Sequence, residues 1–159
     1  MLSAGAVAPE FSVPASNGQL QSLASQRGRW VLLWWYPEAA SSGCSVQAAS
    51  LGKSYAHFEH AGITVWGISF NTVEKNDTFS CDLELGFPLL SDVDRQVGAA
   101  YDVMREPTEP FADKPRRVSY LIDPNGRIAF SELVPNDTLS DYGARALGQV
   151  EEAQAAATH

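Results

Sequence analysis

Two continuous apolar runs constrain this chain more than any other feature. They are Trp30-Val31-Leu32-Leu33-Trp34-Trp35-Tyr36, ended by Pro37, and Ile63-Thr64-Val65-Trp66-Gly67-Ile68-Ser69-Phe70. A strand with one wet face alternates apolar and polar residues, whereas a short run without charge marks a strand buried on both faces, as in the centre of a parallel sheet. Between the two runs, Ala48, Leu51, Tyr55 and Phe58 recur at spacings of three and four, and Gly62 suits a helix stop. Strand, helix and strand make a βαβ unit with a right-handed crossover.

The remaining segments extend this unit. A hairpin is predicted from Phe11-Ser12-Val13, a turn at Asn17-Gly18, and Gln19-Leu20-Gln21-Ser22-Leu23. A helix begins near Asn71, with Glu74 completing a capping box, and runs to about Leu85. Gly86-Phe87-Pro88-Leu89-Leu90 reads as a short strand and Asp94 to Tyr101 as a helix, followed by a loop through Pro107, Pro110 and Pro115. Val118-Ser119-Tyr120-Leu121-Ile122 and Arg127-Ile128-Ala129-Phe130 pair around the turn Asp123-Pro124-Asn125-Gly126. Ser140 is the expected cap of a last helix that uses Leu147 and Val150. With no repeat or linker, residues 1–159 are expected to form one domain: an α/β, thioredoxin-like sandwich with a central mixed sheet flanked by helices and an N-terminal β-hairpin.

Charge and cysteine usage narrow the function. Eleven Lys and Arg against nineteen Asp and Glu give a net charge of −8, which repels nucleic acid and anionic membrane surfaces. The two cysteines are too few for a secreted disulfide scaffold. The first ten residues lack a basic, then apolar, leader, and no apolar run approaches the roughly 20 residues of a membrane span. A cytoplasmic protein is the expectation. No glycine-rich phosphate motif calls for a nucleotide cofactor. His57 and His60 are spaced H-x-x-H without a matching third ligand, so they read as a surface helix terminus and no metal is expected. The absence of C-x-x-C disfavours a dithiol exchanger. The tryptophans Trp30, Trp34, Trp35 and Trp66 read mostly as core, with Trp35 a candidate to line a site mouth.

Cys44 sits in the first turn of the helix after the first buried strand, with Ser41 or Ser42 as N-cap. Unpaired backbone N–H groups there favour an anion, so a thiolate is stabilised. At an ordinary thiol pKa of about 8.5, complete ionisation gains only about thirtyfold at neutral pH, so fast nucleophilic chemistry also needs donors aimed at the charge that develops as a bond breaks. Pro37-Glu38-Ala39-Ala40-Ser41-Ser42-Gly43-Cys44, of the form P-x-x-x-S-x-x-C, supplies a proline that can shield the thiolate, the Ser41 hydroxyl and a turn of backbone N–H groups. The plain alternative is that Cys44 is a small buried hydrophobe. Cys81 lies on the helix from Asn71, opposite the face of Phe79 and Leu83 and beside Glu74, Asp77 and Glu84. It reads as an accessible thiol whose acidic neighbours keep its pKa from falling.

The loop before Cys44 resembles the peroxidatic loop of peroxiredoxins, and Leu33 through Cys44 is most similar to the peroxiredoxin Q (bacterioferritin comigratory protein) branch. The likeness extends to Ala8-Pro9-Glu10-Phe11, to Phe87-Pro88-Leu89-Leu90-Ser91-Asp92 and to Arg117-Val118-Ser119-Tyr120-Leu121-Ile122-Asp123. It implies a thiol peroxidase in which Cys44 reduces hydrogen peroxide and small organic hydroperoxides. Arg117 takes the place of the family's active-site arginine, while its neighbour Arg116 is expected to face away. The resemblance also implies that Cys81 resolves the sulfenic acid through a Cys44–Cys81 disulfide. Thioredoxin or a similar dithiol is then the reductant, and the protein is a monomer. The other branch resolves five residues after the peroxidatic cysteine, where this chain has Ala49, and Gln47 stands where the family usually has glutamate. Two alternatives stay open: a one-cysteine peroxidase with Cys81 incidental, and a peroxide sensor that passes its disulfide to a partner protein.

Overall fold

The computed structural model describes residues 1–157. The first apolar run, which lies early in the chain, is in space the middle strand of a five-stranded sheet. In chain order the strands are β1 (Ser12–Pro14), β2 (Leu20–Ser22), β3 (Val31–Trp35), β4 (Thr64–Ser69), β5 (Leu89–Ser91), β6 (Val118–Ile122) and β7 (Ile128–Leu133). The helices are α1 (Ser42–His60), α2 (Val73–Asp82), α3 (Gln96–Ala100) and α4 (Tyr142–Ala157). The main sheet runs β5-β4-β3-β6-β7, with β3, β4 and β5 parallel and β6 and β7 antiparallel to their neighbours; β1 and β2 form a separate antiparallel pair.

The alternation of β3 explains its unbroken apolar run. Leu32, Trp34 and Tyr36 enter one core with Leu51 and Phe58 of α1, Phe79 of α2 and Tyr142 and Val150 of α4. Val31, Leu33 and Trp35 enter the other with Phe11, Trp66, Val97, Tyr101 and Tyr120. Gly67 is required between them, because a Cβ there would sit 2.8 Å from the Trp34 ring. Trp35 is fully buried in the second core against Phe70 and Tyr101, so it does not line a site mouth. His57 and His60 are exposed in the last turn of α1.

Several boundaries differ from the sequence expectation, each for a local reason. The helix expected from Asn71 starts one residue later, with Thr72 accepting from the Lys75 N–H at 3.2 Å. Asn71 is unavailable as a cap because its side chain accepts from the Ala39 N–H at 2.8 Å. The same helix ends at Asp82 rather than Leu85: Glu84 takes a left-handed conformation (φ 52°), and the Glu84 and Leu85 N–H groups bond back to the Cys81 and Ser80 carbonyls. This is a Schellman stop made without glycine. The strand expected over 86–90 pairs only at Leu89–Ser91, the helix expected from Asp94 shortens to Gln96–Ala100, and β7 continues to Leu133. Ser140 does not cap the last helix; α4 starts at Tyr142, and its first bond runs from the Arg145 N–H to the Asp141 carbonyl at 3.1 Å.

Candidate active site

The end of β3 delivers the chain into a tight loop that is held on three sides. Ala40 adopts a left-handed conformation (φ 67°), an uncommon state for a residue with a Cβ, just before Ser41 caps α1. The Ser41 hydroxyl accepts from the Cys44 N–H at 3.4 Å and donates to the Glu38 carbonyl at 2.9 Å. Its proton is therefore committed within the loop, and the hydroxyl must rotate before it can donate to anything else. Glu38 fastens the same loop outward, to Lys75 at 2.8 Å, to the Asn71 amide at 2.5 Å and to Lys114. Partial burial alone would raise the Glu38 pKa, but hydrogen bonds from Lys114, Lys75 and Asn71 outweigh it and pull it down to about 2.

Cys44 is fully buried, and its thiol is free. Arg117, one residue before β6, reaches over it: Nη1 donates to the Cys44 Sγ at 3.4 Å and to Gln47 Oε1 at 2.6 Å, while Nε donates to Asn136 Oδ1 at 3.4 Å. Gly43 permits this approach, because a Cβ there would lie 3.1 Å from Arg117 Nη2. Arg116 turns the other way, donating to the Met104 carbonyl at 3.3 Å and pairing with Glu109. Ser41 and Arg117, two side chains that touch Cys44, also line a cleft of about 540 Å³ together with Pro37. Gln47, which the sequence marks only as a departure from the family's glutamate, and Asn136, which carries no motif, together fix the guanidinium. The Glu38 clamp is equally illegible, since its partners come from two distant segments, the start of α2 and the loop at Lys114.

Cys81 occupies a different setting. It is exposed on α2, and its thiol lies 3.7 Å from Asp77 Oδ1. The Asp77 charge, with a smaller contribution from Asp82, raises its pKa. Of the acidic neighbours expected from the helical wheel, Asp77 is in contact, whereas Glu84 has left the helix beyond its stop. The two cysteines are not bridged.

Residues 4–131 match the AhpC/TSA family. The chain belongs to that family. It is 39% identical over 131 residues to the peroxiredoxin Bcp of Escherichia coli, covering 80% of this chain and 83% of that one. It is also 33% identical over 129 residues to the chloroplastic peroxiredoxin Q of Oryza sativa, covering 81% of this chain and 58% of that one. Among solved structures, PrxQ of Xylella fastidiosa superposes with a TM-score of 0.87 at 24% identity, covering 96% of this chain and 97% of that one. The Xanthomonas campestris bacterioferritin comigratory protein, studied for alkyl peroxide reduction, superposes with a TM-score of 0.84 at 22% identity, covering 94% and 98%. The peroxiredoxin Q resemblance of the sequence is thus established, and with it the thioredoxin-like fold. As a peroxiredoxin, the chain is a thiol peroxidase, an oxidoreductase that takes a peroxide substrate and needs a reductant. Among the described residues, no helix is long and apolar enough to cross a membrane.

Proposed function

We propose that Cys44 is the peroxidatic nucleophile and Cys81 its resolving partner, with thioredoxin or a similar dithiol closing the cycle. The observation that carries the first assignment is the 3.4 Å contact of Arg117 Nη1 with the Cys44 sulfur, made in a buried first helical turn whose neighbours Ser41 and Arg117 line an open cleft. In this reading the Cys44 thiolate attacks the terminal peroxide oxygen. An S–O bond forms, the O–O bond breaks, and the departing oxygen takes a proton to leave as water or an alcohol. Arg117 donates to the negative charge that develops on those oxygens, which is where a positioned donor contributes most. Ser41 holds the turn and joins as a donor after rotating, and Pro37 keeps bulk water from the sulfur.

The Cys81 thiolate then attacks the sulfenic sulfur of Cys44, displacing hydroxide and forming the disulfide, which a dithiol reduces by exchange. Both cysteines lie in one chain, so a monomer suffices. Because Cys44 is buried and Cys81 exposed, bond formation requires local rearrangement to bring the Cα atoms within about 7 Å. The test is intact mass after one equivalent of peroxide. The wild type should lose two hydrogens on forming the disulfide, Cys81→Ser should gain one oxygen, and Cys44→Ser should be unchanged. A disulfide-free wild type carrying one added oxygen would favour the one-cysteine mechanism instead.

A further inference from the structure

Glu38 fills one of the unspecified positions of the P-x-x-x-S-x-x-C loop, so neither the motif nor the reaction scheme gives it a role. Its backbone and its side chain hold different parts of the molecule. The carbonyl accepts from the Ser41 N–H at 3.3 Å and from the Ser41 hydroxyl at 2.9 Å, which fixes the cap of the helical turn that carries Cys44. The carboxylate reaches the start of α2, where Oε1 accepts from Asn71 Nδ2 at 2.5 Å and from Lys75 Nζ at 2.8 Å. Asn71 returns the contact by accepting from the Ala39 N–H at 2.8 Å. Oε2 takes Lys114, in the loop before β6. Lys75 lies in the first turn of the helix that carries Cys81, so one side chain ties the turn of one cysteine to the helix of the other.

These bonds hold more firmly than an exposed ion pair. The Glu38 side chain is only 25% exposed and accepts from Asn71, Lys75 and Lys114, so its charge-assisted bonds are partly shielded from water and salt. They bear on a choice that the sulfenic acid of Cys44 must make. In one route the Cys81 thiolate forms the S–S bond and hydroxide departs. In the other a second hydroperoxide adds its terminal oxygen to the sulfenic sulfur, its O–O bond breaks, and the rest leaves as water or an alcohol. That oxidises Cys44 to a sulfinic acid and ends turnover. The second route uses the Arg117 donor again and needs the Cys44 turn closed. The first needs the buried turn to open towards an exposed thiol.

We propose that Glu38 is a positioning residue that sets this choice: by tying the Cys44 turn to Asn71 and Lys75, it keeps the sulfur in place for peroxide and delays its release to Cys81. The proposal rests on the assignment of Cys44 and Cys81 as the reacting pair. It is tested by exposing reduced wild type, Glu38→Gln and Lys75→Met to rising hydrogen peroxide. Intact mass quantifies the disulfide and sulfinic forms, and the rate of the first step is measured in parallel. Loss of the charged tie should raise the peroxide concentration that converts half of the protein to the sulfinic form by about tenfold, the size of one partly screened charge-assisted bond. The first step should slow while disulfide formation quickens, whereas a merely structural loss would slow both. Lys75→Met should add little in the Glu38→Gln background, since both variants cut the same tie. A folded Glu38→Gln protein with an unchanged half-point, or with slower disulfide formation, would overturn the proposal and leave the cysteine assignment standing. A wild type that never forms the Cys44–Cys81 disulfide would show that the assignment fails, and the proposal with it.

Discussion

The two cysteines sit at opposite extremes of how firmly this fold holds its residues. Around Cys44, a capped helix start, a guanidinium fixed by two side chains and the Glu38 clamp converge on one buried sulfur. Around Cys81, support runs out along a single helix. The first half of α2 is pinned by buried Asn76, which accepts from the Tyr36 hydroxyl at 2.6 Å and donates to Ser91 Oγ at 2.9 Å and the Leu90 carbonyl at 3.2 Å. Beyond it, Phe79 is the last fully buried apolar residue of α2, and the helix closes on the left-handed Glu84. Local stability follows apolar contacts and satisfied polar groups, so the second half of α2 is the part built to yield. The contrast suits a relay in which the reacting atom is held still and its partner travels.

The largest expected difference is between the cysteines themselves. Cys44→Ser should abolish peroxide consumption, whereas Cys81→Ser should retain the first turnover and lose dithiol-driven cycling. A folded Cys44→Ser protein consuming peroxide at the wild-type rate would end the assignment. Next in size is Arg117→Ala, which removes a donor to developing charge. Such losses run to about 3–4 kcal/mol, so the reaction with peroxide should slow by a hundredfold or more. Arg116→Ala, which loses only the bonds to Met104 and Glu109, should leave that rate nearly unchanged. Equal small effects would show that the two arginines do not divide as their contacts indicate.

A smaller effect concerns the resolving side. With its pKa raised chiefly by Asp77, the Cys81 thiol is less ionised at neutral pH than an ordinary cysteine. The rate of disulfide formation after a peroxide pulse should therefore climb with pH towards that raised pKa. Asp77→Asn should move the climb to lower pH and speed the step at neutral pH. An identical pH profile in the variant would show that another event, such as helix opening, limits the step.

The smallest effect is on the clamp. Because the Glu38 pKa falls from an ordinary 4.5 to about 2 on folding, its stabilisation is present above about pH 4.5 and is lost as pH falls through about 2. The stability gap between wild type and Glu38→Gln in denaturant unfolding should close over that window. A gap independent of pH would assign the Glu38 contribution to packing.

The readability of the sequence followed the same division. The βαβ unit was visible because β3 and β4 are buried on both faces, and a strand in that setting has no freedom to be polar. The P-x-x-x-S-x-x-C loop was visible because its residues are consecutive. What stayed hidden depends on contacts between distant segments: Asn136 on Arg117, Asn76 beneath Tyr36, and Asn71 given to the Cys44 loop instead of capping α2. Trp35 is core, as its strand predicts, but only the sheet reveals which core a strand residue enters and so removes it from the site mouth. Likewise Glu84 gave no sign that it would end α2 in a conformation usually left to glycine.

The unequal hold on the two cysteines is tested most directly by hydrogen exchange on the reduced protein and on the protein oxidised by one equivalent of peroxide, with the Cys44–Cys81 bond confirmed by mass. Protection should fall across residues 77–85 on oxidation, while the core strands β3 and β4 keep theirs. Unchanged protection over 77–85 in the bridged protein would contradict the account, because the bond would then have formed without the second half of α2 giving way.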